Sequence, residues 1–96
     1  MRMLLKANIP TPAGNAAIEA GTMGPTMQKA IAALKAEAAY FSLENGMRTA
    51  YIFFDLKDPS GMPAAGEELF MKLGAQISMT PAMTAEDLAK GLAQLG

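Results

Sequence analysis

The chain has 96 residues, 51% hydrophobic and 18% charged, a balance that fits one globular domain over residues 1–96 and excludes an intrinsically disordered chain. Its formal net charge is −1 and the eight Lys and Arg residues are scattered, so no basic stripe is offered to nucleic acid. Cys and His are both absent, which excludes disulfides, thiolate chemistry and imidazole ligation or catalysis; no metal site and no cofactor is expected.

Met1 to Asn8 reads as a first strand. Its apolar opening stops at Lys6, so there is no signal-peptide core, and no apolar run in the chain is long enough to span a bilayer. No membrane partner is expected, and a cytoplasmic protein is. Ile9-Pro10-Thr11-Pro12 ends the strand, and Thr11 is placed to cap a helix with Pro12 at its first position. An Ala-rich helical stretch follows to Ala38. Gly21-Thr22-Met23-Gly24-Pro25 interrupts it, because two glycines and a proline oppose helix propagation there. Met23, Met27, Ile31 and Leu34 share one helical face.

Ala38 to Leu43 is a second strand, and Met47 to Leu56 a third. The Asn45-Gly46 pair between them is a strong hairpin signal. Asp58 to Pro63 turns the chain into a second main helix, with Pro59 or Pro63 at its first position. Leu69, Phe70 and Leu73 are assigned to its inner face, and Gly74 to its end. Ala75 to Thr80 is a fourth strand. Thr84 and Asp87 then form the pattern of a capping box for a short C-terminal helix. The order is β-α-β-β-α-β plus that helix: an α+β, ferredoxin-like domain with a four-stranded antiparallel sheet and both main helices on one side.

Residue alternation divides the strands into two faces. Met3, Leu5 and Ala7, with Ala50, Ile52, Phe54 and Leu56, belong to the helix side. Arg2, Leu4, Lys6, Asn8, Tyr40, Ser42, Thr49, Tyr51, Phe53, Asp55, Gln76, Ser78 and Thr80 fall on the other. A water-facing antiparallel sheet alternates cleanly to polar residues, whereas this open face keeps Leu4, Tyr40, Tyr51 and Phe53. A second copy laid across it would bury the aromatics and surround the polar groups, so a homodimer is expected.

With that half-polar face, the strand order resembles the dimeric α/β-barrel superfamily, which includes muconolactone isomerases and cofactor-free antibiotic-biosynthesis monooxygenases. Within it, the chain is similar to an uncharacterised bacterial family. The segments carrying the likeness are Gly14-Asn15, Gly21-Thr22, Glu37-Ala38-Ala39-Tyr40-Phe41, Gly46-Met47-Arg48-Thr49-Ala50, Asp55-Leu56 with Asp58-Pro59-Ser60, and Pro81-Ala82-Met83-Thr84 with Glu86-Asp87-Leu88. The resemblance implies the fold and the dimer; it transfers no reaction, since one fold hosts many functions.

The polar candidates fall into two groups. Lys6, Tyr40, Tyr51 and Asp55 share the open face. There they bind a small polar or aromatic molecule, move a proton through a Lys–Tyr pair, or satisfy one another in an interface. Asn15, beside Gly14, offers an irregular backbone that either holds an anion or serves the helix break. Arg48, next to the hairpin, either pairs with Glu44 or meets a ligand's anionic part. Ser42, Ser60 and Ser78 lack the partners of a serine hydrolase. The adjacent acids Glu67-Glu68 and Glu86-Asp87 do not share a helix face and read as surface or helix-start charges.

Three functions follow from this reading: a dimer holding a small organic molecule between its sheets, a cofactor-independent oxygenase or isomerase using Tyr, Lys and Asp, and a structural or interaction protein with a closed interface.

Overall fold

The computed structural model describes residues 1–96. Its elements are β1 (Arg2–Ile9), α1 (Thr11–Glu19), α2 (Met23–Leu34), β2 (Ala38–Glu44), β3 (Met47–Asp55), a 3-10 turn (Pro59–Gly61), α3 (Met62–Leu73), β4 (Gln76–Pro81) and α4 (Ala85–Ala93). The four strands form one sheet in the order β2-β3-β1-β4, every neighbouring pair antiparallel. The chain is thus α+β, in an order compatible with a ferredoxin-like fold. No helix is long and apolar enough to cross a membrane.

Local chemistry accounts for most of the boundaries. The first turn of α1 closes one residue earlier than expected. The Gly14 amide donates to the Pro10 carbonyl at 2.9 Å, so Pro10 is the cap and Thr11, expected to cap, is the first helical residue without a side-chain capping bond. The expected break is present: α1 ends at Glu19, Gly21 takes φ +73°, and α2 begins at Met23. Pro25 lies in the first turn of α2, where a missing amide costs no helical bond.

At the hairpin, Asn45 and Gly46 take φ 52° and 75°, the left-handed pair that a two-residue turn needs to match strand twist. Pro59 and Pro63 each sit at the start of a helical segment, and Gly74 ends α3 at φ 57°. The Thr84–Asp87 capping box is complete, with bonds of 3.0 and 3.1 Å.

Alternate residues of β1 and β3 build the core. Met3, Leu5, Ala7, Ile9, Ala50, Ile52 and Phe54 are buried under Ala17 of α1, Met27 and Ala30 of α2, and Ala65, Leu69 and Leu73 of α3. Phe70 departs from the expected inner face and is 47% exposed. Leu69 and Leu73 are four apart and occupy one stripe, so Phe70, directly after Leu69, is rotated off it.

Candidate functional site

All three packed helices lie on one side of the sheet, which leaves the other side open. Strand register arranges that open side in rows. Tyr40, Tyr51, Lys6 and Ser78 run across all four strands. The row on one side is Ser42, Thr49, Asn8 and Gln76, and the row on the other is Ala38, Phe53, Leu4 and Thr80. Lys6 and Tyr51 are therefore cross-strand neighbours, as residue parity predicts.

They meet through Glu44, which the sequence offers only as a partner for Arg48. Glu44, last in β2, shares the side of Tyr40 and Ser42 and reaches diagonally across the face. Its Oε2 lies 3.1 Å from Lys6 Nζ and accepts from Asn8 Nδ2 at 3.0 Å. Its Oε1 accepts from the Tyr51 hydroxyl at 3.1 Å. Asn8 Nδ2 also donates to Thr49 Oγ1 at 2.9 Å. The parity of Glu44 with Tyr40 was the signal that could have found it.

The cluster sets its own protonation. Hydrogen bonds from Asn8, then Lys6, hold the Glu44 carboxyl below the usual carboxylate range. Desolvation first, then the bond to Glu44, holds the Tyr51 phenol above the ordinary tyrosine value. Neither group sits near neutrality, where a general acid or base works best. The cluster is well formed for presenting a fixed carboxylate, a fixed phenol and an ammonium whose charge Glu44 balances.

The other expected site residues lie elsewhere. Tyr40 is directly across from Tyr51 on the edge strand, but it is 64% exposed and makes no side-chain hydrogen bond. Asp55 is on the same face at its far end. It pairs with Lys57 and accepts from the Met1 ammonium at 2.7 Å, contacts that hold its carboxyl down at about 2. Arg2, its cross-strand neighbour, pairs with Glu37, with Nη2 to Oε2 at 3.2 Å.

Arg48 requires a correction. It does not pair with Glu44. Alternation along β3 puts Arg48 with Ala50 and Ile52, on the helix side, where Nη2 donates to Asn15 Oδ1 at 3.1 Å. Gly14 makes room for it, since a Cβ there would stand 2.5 Å from Arg48 Nη1. Asn15 and Arg48 are thus brought together, but on the opposite side of the sheet from Lys6 and Tyr51.

Two grooves open on the helix side. One, of about 540 Å³, runs between α2 and α3 toward the end of β3 and is floored by Ala30, Leu34, Phe54 and Ala65. The other, of about 430 Å³, lies between α2 and the outer edge of β2 and is lined by Ile9, Met23, Met27, Phe41 and Leu43 with Arg48. No group of three acidic residues is close enough to hold a metal ion. No family model, curated protein or solved structure matches the chain.

Proposed function

We propose that this chain works as a two-fold homodimer, a dimeric α/β barrel joined through its open sheet faces, and that it holds a small organic molecule between the sheets beside Glu44. The observation that carries the proposal is the composition of the uncovered face: a carboxylate that collects Lys6, Asn8 and Tyr51, with half-buried Leu4 and Phe53 in the row beyond Tyr51. Completing the burial of each half-covered apolar side chain is worth part of the roughly 1.5–3 kcal/mol of full burial, and two-fold symmetry counts each of them twice. The same closure takes Tyr40, Ser42, Ser78 and Thr80 out of bulk water. Their hydroxyls then need new partners, which a polar ligand or interfacial water supplies.

The geometry narrows the ligand class. Neither Lys6 nor Arg48 suits an anionic ligand. Lys6 is balanced by Glu44, and Arg48 faces the helices. A neutral molecule with an aromatic body and one or two hydroxyl or amide groups suits the site better: the rings of Tyr40, Tyr51 and Phe53 offer stacking, and Glu44 offers acceptor positions. Binding is favoured over turnover, because Tyr51 and Glu44 are displaced from neutrality in opposite directions and Asp55 is tied at the far end. A second reading, a dry interface with no ligand, is supported by the fact that Lys6, Asn8, Tyr51 and Glu44 already satisfy one another.

Sedimentation velocity at micromolar concentration and native mass spectrometry of the purified protein test both readings. A dimer carrying an extra small mass, lost in Glu44→Gln, is the expected result. A dimer of bare mass favours the dry interface. A monomer overturns the proposal.

A further inference from the structure

We infer that α4 of each copy packs along the free edge of β2 in the second copy, so that the proposed dimer is closed by two exchanged helices. This inference rests on the sheet-to-sheet dimer proposed above. Two independent features of the chain lead to it.

The first is a helix without a surface. No residue of α4 is buried. Leu88, Leu92 and Leu95 form a stripe at helical spacing and are 46%, 56% and 82% exposed, with Met83 ahead of them at 69%. The capping box defines the start of α4, but nine residues are too few for a helix to be stable in water by propensity alone. The apolar stripe needs a counterpart.

The second is an edge without protection. β2 is the outermost strand, and Tyr40, Phe41 and Leu43 on it are 64%, 58% and 76% exposed. Natural edges are blunted by Lys, Pro, bulges or a covering element. β2 has neither Lys nor Pro, and its one charge, Glu44, is engaged on the open face. Beside Phe41 and Leu43 lies the groove formed with Met23 and Met27.

A helix cannot fill this groove in its own chain. β4 and β2 are opposite edges, about 14 Å apart at normal strand spacing. α4 leaves the sheet at the Met3–Pro81 end, level with Ala38 at the start of β2. The link Ala82–Thr84 reaches only about 10 Å. A second copy removes the obstacle. If two sheets face each other about an axis running along the strands, β2 of one lies across from β4 of the other, and strand direction is preserved. The partner's α4 then starts near the Ala38 end of β2. A helix of this length, about 14 Å, runs back along the edge as far as Leu43. The contact occurs twice, once for each copy, and closes on itself. A lipid surface fits less well, because α4 carries Glu86 and Asp87 against a single Lys90, the wrong sign for anionic headgroups.

The natural chain has no cysteine, so engineered thiols report this contact alone. Leu43→Cys and Leu92→Cys variants are prepared separately, mixed, allowed to exchange subunits and oxidised. The expected result is a disulfide-linked dimer in the mixture and little in either variant alone. A Leu88→Ser/Leu92→Ser variant should weaken the dimer at least about tenfold in sedimentation. If the unaltered protein is a dimer but the mixture does not link, the helix exchange is overturned and the sheet interface stands. If the unaltered protein is a monomer, both fall. Capture of the unaltered protein by phosphatidylglycerol vesicles, abolished in the double serine variant, would also overturn the exchange.

Discussion

On the helix side of β1, Met3, Leu5, Ala7 and Ile9 are buried; on the other side Leu4, Lys6 and Asn8, each one residue away, are half exposed. The same strand thus builds two surfaces of different character. The covered side is held by shape, with apolar side chains from β1, β3, α2 and α3 filling one another's gaps and Thr26 of α2 a buried polar side chain beside them. The open side is held by pairing, with three donors on one carboxylate among scattered apolar rings. The contrast separates what folds the domain from what it leaves uncovered for the dimer proposed above. Substitutions on the first surface should change stability, and those on the second should change assembly and titration.

The largest effect is expected on the covered side. Leu69 is fully buried against the sheet, and Leu69→Ala should cost about 2–5 kcal/mol of unfolding free energy. Urea denaturation measures it, and a loss under about 1 kcal/mol would show that α3 is not part of the core. On the open side, Phe53→Glu should raise the dimer dissociation constant by about a hundredfold while far-UV circular dichroism is unchanged. Loss of the folded spectrum instead would erase the distinction between the faces.

A subtler test uses the two tyrosines. In a Tyr40→Phe background, phenolate absorbance reports Tyr51 alone, and its midpoint should lie above the ordinary tyrosine value of about 10. Adding Glu44→Gln should lower the midpoint only partway, because desolvation is the larger cause. The linked stability has a definite sign at each end. The raised phenol stabilises the fold below the ordinary tyrosine pKa, and that contribution is lost as pH rises through the folded value. The depressed Glu44 stabilises it above the ordinary carboxylate range, and that is lost as pH falls through its folded value. A Tyr51 midpoint that Glu44→Gln leaves unchanged would mean that the hydrogen bond to Glu44 does not persist in solution. The smallest effect belongs to Arg48→Ala or Asn15→Ala, under about 1 kcal/mol, with dimerisation unchanged, since that pair lies on the helix side.

Much of this arrangement was legible where local chemistry dictates it. Two-residue alternation assigned every core residue of β1 and β3 to its face except Ile9, which lay past the expected strand end. Gly21, Asn45-Gly46 and Gly74 marked the turns, because only such residues take left-handed backbone cheaply. The capping box was readable from Thr84 and Asp87 alone. The site was harder because its central residue acts diagonally. Nothing local to Glu44 announces that Lys6, Asn8 and Tyr51, on two other strands, will meet it; the register of β1 on β3 makes that connection. Arg48 was within reach, since its parity matched Ala50, but its proximity to the turn drew attention to Glu44 instead. Thr11 lost the capping role because the first turn of α1 closes on the Pro10 carbonyl.

The strand order also governs how the chain acquires its sheet. β2 and β3 are joined by the Asn45–Gly46 turn and can zip locally, on the microsecond timescale of hairpins. β1 sits between β3 and β4, so its hydrogen bonds all go to segments made later in synthesis. During translation, residues 2–9 have no partner until β3 is available. The far side of β1 waits until Pro81 has left the ribosome. Through that interval Met3, Leu5 and Ile9 are exposed on an unpaired strand, a contact-order penalty that slows folding and invites association between nascent chains. Of the four strands, β1 is therefore the one that a chaperone has most reason to shield.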